Sequence, residues 1–422
     1  MEDAGPMPKT GWTGTQVGVL VILLVLTNAV TGAVIFFAFP AAPAEPGARA
    51  ASLTIYHPWA GSERDQFLVV LDAFTEETGI VIQDRTFRQE QLQTLLPAQF
   101  SASTTPADVI FMASGFIRDW GDQGWAVDIT DRIDADDYIP EVLDPVTSGT
   151  TVYGAPYTYK PKPGFWFRDS TFTANGWNQN PTTYAEFVAL LDSIVADGIT
   201  PLVTGNGVGW PLSDMTEHFI ATYGGAQMHR DLTAGTLSWT DASVKAVFED
   251  FLVPLITAGY FDAPVDFDAG LADLWAGQNA LYFQGSFILG FSQIEDPSDM
   301  RFFPAPGGVA TAGQVLSADY LFVPTFAQNQ TASLMLVDFL KGVEGQEAQI
   351  SQPGHFPTFV DVDPTKAHSC CDPSSVGTRI PLSDMDDTVG GTWQSAFWAQ
   401  LQLLWANPGQ LDTILAAIEA AR

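Results

Sequence analysis

Positively charged residues are scarce in this chain. Its 422 residues include 17 Lys and Arg against 49 Asp and Glu, which gives a formal net charge of −32. A protein that binds DNA or RNA clusters Lys and Arg to release counterions, and an anionic membrane surface attracts the same residues. The sequence shows no such cluster, so we expect neither partner. An anionic small solute is disfavoured, although one well-placed Arg can be enough to bind it.

Cysteine and histidine are also rare, which limits metal and redox chemistry. The only cysteines, Cys370 and Cys371, are adjacent. Neighbouring Cα atoms lie about 3.8 Å apart, less than the usual ~4.4–6.8 Å of a disulfide. Free thiols in a loop, a rare vicinal bridge and soft-metal binding with His368 all stay open. The other histidines are scattered without an HExxH motif, so we predict no metal centre and no cofactor.

Catalytic signatures are missing as well. The sequence has no Gly-x-Ser-x-Gly elbow, and the glycine-rich turn at residues 205–209 lacks both the GxGxxG spacing and the P-loop lysine. With 49 acidic residues, two carboxylates at glycosidase spacing are almost inevitable, so such a pair carries no information. We expect a protein that is not an enzyme, with a glycan-active enzyme as an alternative.

One long apolar run is present near the N-terminus. Residues 17–39 carry no charge, and at about 1.5 Å per residue they would span a ~30 Å hydrocarbon core. Secretory signal cores are usually shorter, roughly 7–15 residues. The run therefore predicts an uncleaved membrane anchor after a short tail at residues 1–16. Cleavage as a signal segment stays open, because Ala42-Pro43-Ala44 fits a small-x-small site. The Pro/Ala-rich residues 40–52 predict a tether.

Beyond the tether, short predicted strands alternate with amphipathic helices. Leu53–His57 reads as a strand, and Ser62 is predicted to cap the helix that follows it. Gly79 is predicted to end this helix, and Ile80–Gln83 is the next strand. A β–α–β start of this kind predicts a parallel sheet in an α/β protein.

Aromatic residues within polar, Gly/Pro-rich segments are the main functional signal. They occur at His57–Ser62, Gly209–Asp214, Phe283–Phe287 and Gly391–Trp393, mostly after a predicted strand. In an open α/β sheet, ligands bind beyond the carboxyl ends of the strands. A flat aromatic face packs against the apolar face of a sugar ring, and Asp, Gln and Ser hydrogen-bond its hydroxyls. The pattern favours a neutral polyol, although any one of these aromatics could equally belong to a core.

Several sequence blocks follow one another in an informative order between residues 53 and 422. They are LTIYHPWAGSERDQ, PADVIFMASGFIRDW, YGAPYTYKPKPGFWF, GWPLSDMTEHF, NALYFQGSFILGF and FFPAPGG. Together they resemble the family 1 extracellular solute-binding proteins, the substrate receptors of ABC-type sugar importers. The resemblance implies an α/β, two-lobed type II periplasmic-binding-protein fold, with the ligand between the lobes. It implies a first lobe at 53–156 that returns at 311–345, a second lobe at 157–310, and C-terminal helices at 346–422, mainly in the second lobe.

The resemblance also implies which residues face the cleft. They are Trp59, Gly61, Ser62 and Ser114 from the first lobe, Trp210 and Asp214 from the second, and Gln284, Gly285, Ser286, Asp319 and Trp393. Lys160 and Lys162 lie in a segment that could contact the ligand or form a hinge. A solvated loop is the favoured interpretation of that segment.

The predicted function is that of a receptor on the outer face of the cell membrane. It would capture a neutral sugar or oligosaccharide and deliver it to an ABC permease, while the N-terminal span holds it at the membrane. If that span is cleaved, the protein would be secreted or periplasmic. A receptor for a non-sugar solute such as a peptide or polyamine, a glycan-active enzyme and a sensory receptor are the alternatives.

Overall fold

A computed structural model describes residues 52–207, 209–366 and 379–422. The predicted anchor at residues 17–39, nearly all of the tether and the Cys370–Cys371 pair lie outside the described residues. Within the described ranges, no helix is long and apolar enough to cross a membrane.

Strands and helices alternate along the described residues, as the sequence pattern predicts. The strands are β1 (Ser52–His57), β2 (Val81–Thr86), β3 (Val109–Phe111), β4 (Thr147–Ser148), β5 (Thr151–Val152), β6 (Ala155–Pro161), β7 (Gly164–Arg168), β8 (Thr200–Leu202), β9 (Asn279–Gln284), β10 (Met300–Phe303), β11 (Gly313–Phe322), β12 (Phe356–Pro357) and β13 (Ile380–Ser383). The helices are α1 (Gly61–Thr78), α2 (Gln89–Ser101), α3 (Ser114–Asp122), α4 (Asp169–Asn175), α5 (Tyr184–Ala196), α6 (Trp210–Phe219), α7 (Ala226–Ala234), α8 (Ala242–Val247), α9 (Val253–Thr257), α10 (Phe267–Ala276), α11 (Gln330–Lys341), α12 (Val343–Ile350), α13 (Met385–Val389), α14 (Gly391–Ala406) and α15 (Leu411–Ala420). Two π-helical segments, Ile220–Gly224 and Phe248–Leu252, continue α6 and α8.

The first lobe is built on a sheet with the strand order β12-β6-β11-β3-β1-β2, and β13 pairs with β11 beside it. β1 runs parallel to β2 and β3, which confirms the parallel start predicted from the β–α–β pattern. β11 is antiparallel to β3 and β6. Helix α1 buries Phe67, Val70, Leu71 and Phe74, a helical spacing that forms one apolar face over the sheet.

The second lobe is built on a sheet with the strand order β10-β7-β9-β8. β8 is parallel to β9, whereas β7 is antiparallel to both β9 and β10. Phe165, Phe167 and Phe283 from these strands form a core with α5, α6, α14 and α15. Each sheet therefore has its own hydrophobic core, as expected for two lobes.

The chain passes between the two sheets at three places within the described residues. It crosses at Lys162 and Pro163 between β6 and β7, at residues 304–312 between β10 and β11, and after β13 into α13 and α14. β6 stays in the first sheet as far as Pro161, so the first crossing follows it directly. Within the predicted C-terminal stretch, β12 pairs with β6 of the first lobe, and α14 and α15 pack in the core of the second.

The ends of α1 show where local sequence signals succeed and fail. Gly79 ends the helix as predicted, with φ of 72° and its N–H donating to the carbonyl of Thr75. The prediction that Ser62 caps the helix is wrong, because the N-cap residue is Ala60. The Ser62 hydroxyl instead donates to the carbonyl of Gly290 in the second lobe at 2.9 Å.

Candidate ligand-binding cleft

A cavity of about 360 Å³ lies between the two lobes, against the crossing segments. Both lobes and the crossings contribute to its wall. The described lining residues are Pro58, Trp59, Ala60, Glu63, Arg88, Gln89, Glu90, Phe111, Met112, Ala113, Lys160, Lys162, Trp210, Asp214, Asp266, Phe267, Asp268, Phe287, Phe291, Ser317, Ala318, Asp319, Tyr320, Asp384, Asp386, Asp387 and Trp398. Its volume falls in the range of ~300–1,000 Å³ that is usual for small-molecule sites.

Two tryptophans frame the cavity from opposite lobes. Trp59 follows β1, and its ring centroid lies 4.5 Å from that of Phe67 and 4.8 Å from that of Phe111. Trp210 is the first residue of α6, and it packs against Phe267 and Phe287 at 5.2 and 5.9 Å. Both indoles are therefore held in place by other aromatic rings, and part of each borders the cavity.

Gly209 allows the backbone turn that places Trp210 at the start of α6, beside the cavity. Gly209 is the N-cap of α6 and has φ of 95°, a left-handed conformation that side chains other than glycine adopt rarely. A Cβ at Gly209 would come within 2.8 Å of Cβ of Trp398. The polar, Gly/Pro-rich composition of residues 209–214 suggests a loop, but from Trp210 onward these residues form a helix. Pro211 occupies its first turn, where proline is well tolerated.

Lys160 and Lys162 are buried in ion pairs beside the cavity, so the predicted solvated loop is wrong. Lys160 Nζ lies 2.7 Å from Asp319 Oδ1, and Lys162 Nζ lies 2.5 Å from Asp214 Oδ1. Lys162 also contacts Asp384 Oδ2. The segment is ordered because β6 lies inside the first sheet, between β11 and β12, up to the crossing.

Behind Lys162, a group of buried carboxylates joins α6 to the third crossing. Oxygens of Glu217, Asp384 and Asp386 lie within 4.8 Å of one another, a spacing that would suit a cation. Protein groups already form hydrogen bonds with these oxygens. The contacts are Ser213 Oγ to Asp386 and Glu217, the backbone N–H of Met385 to Glu217, the His229 ring to Glu217, the Trp398 indole N–H to Asp386, and Lys162 to Asp384.

The pKa values in this group follow from burial and from charge compensation. Burial raises the pKa of Glu217 to about 8, and the neighbouring Asp384 carboxylate adds to the rise. Burial also raises the pKa of Asp214 to about 7, although Lys162 opposes the change. Burial alone would lower the pKa of Lys162, but Asp214 and Asp384 hold it well above its ordinary value. Burial opposes ionisation of Asp384 too, yet Lys162 brings the pKa of Asp384 below its usual range. The ionised pair is therefore Lys162 with Asp384, whereas Glu217 keeps its proton near neutrality.

Of the residues predicted to face the cleft, Trp59, Trp210, Asp214 and Asp319 line the cavity. The three predicted serines instead donate to backbone carbonyls across the lobes or the crossing. Ser62 Oγ donates to Gly290, Ser114 Oγ to Asp387 at 3.0 Å, and Ser286 Oγ to Gly354 at 2.6 Å. These serines thus hold the lobes together around the cavity.

The remaining predicted residues lie beside or away from the cavity. Gly61 is exposed at the start of α1, and Gln284 is fully buried at the end of β9, where its carbonyl accepts a hydrogen bond from Trp166. Gly285 is the residue between β9 and the short 3₁₀ segment Ser286–Gly290. Trp393 lies in the core of the second lobe, with its ring stacked on Phe397 at 4.8 Å. The structure does not bring Trp393 to the cavity.

Sequence reasoning missed several lining residues. Glu63 follows the predicted Ser62, and burial raises its pKa to about 8, while nearby Lys160 lowers it. Phe287 lies within a segment that the sequence had singled out. Asp384, Asp386 and Trp398 come from the third crossing and α14, where the sequence gives no motif that separates them from other acidic or helical residues.

Two α/β lobes with an aromatic and acidic cavity between them define a two-lobed binding protein of the periplasmic-binding-protein class. The chain belongs to the bacterial extracellular solute-binding proteins, because the sequence model of that family matches residues 60–347. It is 41% identical to an uncharacterized ABC transporter extracellular-binding protein of Pyrococcus horikoshii, with 87% of each chain covered.

A second relative and a solved structure agree with this family. The alpha-glucosides-binding periplasmic protein AglE of Rhizobium meliloti is 25% identical over 84% of this chain and 87% of its own. The solved structure of the bacterial solute receptor AcbH superposes with a TM-score of 0.75 at 17% identity, covering 88% of this chain and 98% of that one. The family and these relatives are binding proteins, not enzymes.

Proposed function

We propose that this receptor captures a neutral sugar or oligosaccharide in the cavity between its lobes. The observation that carries the proposal is the pair of indoles, Trp59 and Trp210, which border one cavity from opposite lobes. Trp210 is half-buried and presents a flat apolar surface of the kind that packs against the C–H face of a sugar ring, whereas Trp59 is 4% exposed and borders the cavity with only a small part of its surface. A ligand that touches both would stabilise the closed arrangement of the lobes, because it binds that arrangement better than the open one.

The charges of the wall support a neutral ligand. Among the described lining residues, nine are Asp or Glu and three are Lys or Arg. Burial raises the pKa of Glu63 to about 8 and holds the pKa values of Asp386 and Asp387 well above the ordinary value, so these three acids carry little charge near neutrality, and the remaining acids still outnumber the cations. Two of these cations, Lys160 and Lys162, are already paired with carboxylates, and Arg88 is exposed. An anionic sugar would meet a surplus of negative charge without a free buried cation to compensate it. Hydroxyl groups, by contrast, can donate hydrogen bonds to carboxylates.

The relatives support a carbohydrate. AglE is described as binding alpha-glucosides, and AcbH as having an exclusive preference for β-D-galactopyranose. We extend from them only the class of ligand. The relative from Pyrococcus horikoshii is described as part of an ABC transporter, so the partner we propose is the permease of such a transporter. In this scheme residues 17–39 anchor the receptor on the outer side of the membrane, which raises its local concentration at the permease.

A second candidate ligand is a polyamine. The surplus of carboxylates on the cavity wall favours it, because an extended polycation could pair with several of them. The two indoles would then serve cation–π contacts instead of packing on a sugar.

Thermal melting of the purified full-length protein separates these candidates. The arms are a panel of neutral mono- and oligosaccharides, glucuronate and galacturonate, and spermidine. A ligand at 100 times its Kd should raise the free energy of unfolding by about 2.7 kcal/mol. We expect a shift with at least one neutral sugar and none with the uronates. If only spermidine raises the melting temperature, the ligand is a polyamine. If no sugar of the panel raises it, the sugar proposal is contradicted.

A further inference from the structure

Lys162 stands at the point where the first crossing meets the cavity. Its backbone N–H donates to the carbonyl of Val315 at 3.0 Å, so the pairing of β6 with β11 continues to this residue. Lys160 lies two positions earlier, and strand alternation places both side chains on the same face. That face borders the cavity, where each lysine pairs with an acid that also lines it.

The lysine leaves one carboxylate oxygen of Asp214 free. Lys162 Nζ donates to Oδ1 of Asp214 at 2.5 Å, while Oδ2 is buried without a hydrogen-bond partner among the described residues. Asp214 is only 2% exposed, and it lines the cavity. A buried acceptor without a partner costs about 1–3 kcal/mol, so native structures rarely retain one unless a ligand or water completes it.

Lys162 itself is held from two sides. Asp384, at the third crossing, takes a second hydrogen bond from the same ammonium group. The lysine thus links the first crossing, helix α6 and the third crossing, and it is 4% exposed. A carboxylate fixed in this way loses little side-chain entropy when a ligand binds it, which is the advantage of preorganisation.

We propose that Lys162 is a positioning residue, which orients Asp214 so that its free Oδ2 accepts a hydrogen bond from one hydroxyl group of the bound sugar. The inference rests on the proposed function, and it adds that specificity for this hydroxyl comes from the hydrogen-bonded contact between Lys162 and Asp214 on the wall of the cavity. A sugar that lacks the hydroxyl would leave Oδ2 unpaired in the bound state. A site built to pair a substrate hydroxyl discriminates strongly against the analogue that lacks it.

The experiment compares a sugar with its monodeoxy analogues. The probe is the neutral sugar that gives the largest melting shift in the panel above, and affinities are measured by titration calorimetry at pH 8, where Asp214 is ionised. With the native protein, we expect one monodeoxy analogue to bind at least 10-fold more weakly than the parent sugar. With Asp214→Asn, and equally with Lys162→Met, that ratio should fall to within about 3-fold.

A double-mutant cycle then tests whether Lys162 acts through Asp214. The double variant should lose no more affinity than Asp214→Asn alone, because the lysine has nothing left to orient. Lys245→Met is the matched control, since Lys245 pairs with Asp412 at 2.6 Å outside the lining residues and should leave the ratio unchanged. If Lys162→Met does not fold, Asp384→Asn is added to every protein of the cycle. This change removes the buried carboxylate that would otherwise lose its cation when Lys162 is replaced.

The outcomes separate this inference from the proposed function. A sugar that binds, with a deoxy penalty unaffected by Asp214→Asn, would overturn the positioning role and leave the receptor function intact. Additive losses in the cycle would mean that Lys162 contacts the sugar or supports the fold independently. A panel in which no sugar binds would overturn both proposals.

Discussion

Trp210 and Trp393 have the same side chain but different surroundings. Trp210 is half-buried at the start of α6 and borders the cavity, whereas Trp393 is 4% exposed and packs between Trp239 and Phe397. The sequence presented both as aromatics beside glycine. Only the packing around each residue separates a binding surface from a core, and that packing involves residues distant in the sequence.

Replacing Trp210 by alanine should weaken sugar binding at least 10-fold and lower the melting temperature of the ligand-free protein only slightly. The indole loses its stacking surface, but it fills little of the core. Trp393→Ala is the matched control, and it should cost roughly 3–5 kcal/mol of stability, as truncation of large core aromatics does. Calorimetric titration and ligand-free melting measure the two effects. A large loss of stability in Trp210→Ala would identify it as a core residue.

The sequence predicted the role of individual residues well where that role depends on local backbone conformation. Gly79 ends α1 because only glycine adopts its left-handed conformation readily, and that requirement is local. Ser62 and Lys162 were misassigned, because their partners Gly290 and Asp214 lie far away along the chain. A hydroxyl near the start of a helix predicts a cap, and a lysine near prolines predicts a loop. Both predictions fail when the side chain forms a hydrogen bond to a residue distant in the sequence.

At the scale of elements, helix α6 and the third crossing are joined through buried carboxylates. Glu217 of α6 accepts a hydrogen bond from the backbone N–H of Met385 and is hydrogen-bonded to the ring of His229. The sequence pattern did not indicate the start of α6 at Trp210 or helix α13 at the third crossing. It could not predict the junction, because the acidic residues that form it look like the rest of the 49 acids in this chain.

Stability of the ligand-free protein should fall as the pH rises from 6.5 to 8.5. The folded-state pKa of Glu217 is about 8 and that of Asp214 about 7, both above the ordinary values of 4.5 and 3.8. The unfolded chain has already released both protons below this window, whereas the folded protein releases the proton of Asp214 near pH 7 and that of Glu217 near pH 8. Each group therefore costs up to about 1.4 kcal/mol per pH unit until the pH passes its folded-state pKa. Other titratable or charged groups near them are Lys162, His229, Asp384, Asp386 and Asp387.

Histidine does not obscure this effect above pH 6.5. Burial lowers the pKa of His229 to about 4, so its contribution to stability is lost only as the pH falls below the ordinary value of 6.5. Melting at pH 6.5, 7.5 and 8.5 measures the trend, and Glu217→Gln should make it shallower. A melting temperature that rises across this window would contradict the assignment of protons to the buried carboxyls.

At the scale of the whole molecule, the acidic residues behind the net charge of −32 fall into a buried group and an exposed group. Some carboxylates, such as Glu217 and Asp214, are buried and paired, whereas Asp266 and Asp268 are exposed on the rim of the cavity. The two-lobed architecture itself was predicted from the order of the sequence blocks. The sequence could not predict where the acids would gather, because the cavity wall combines acidic side chains from α1, α6, β11 and the third crossing, which are far apart along the chain.

Raising NaCl from 0.05 to 1 M at pH 7 should increase the melting temperature of the ligand-free protein. The Debye length falls from more than 10 Å to about 3 Å, so repulsion among exposed carboxylates is screened. The same titration at pH 4.5, where many carboxylates approach their ordinary pKa values, is the control and should show a smaller effect. A melting temperature that does not depend on salt at pH 7 would contradict a destabilising repulsion among the exposed carboxylates.

The strands of the first sheet come from distant parts of the chain, and this affects folding during synthesis. β11 pairs with β3 and β6, and β12 closes the edge of the same sheet with Phe356–Pro357. The first lobe is thus begun by the earliest described residues and finished by residues more than three hundred positions later. Such long-range strand pairing is slow to form, and it leaves unpaired strand edges exposed meanwhile. A ribosome-bound chain that has not yet reached β11 therefore offers an open edge at β3, and its first lobe can close only near the end of synthesis.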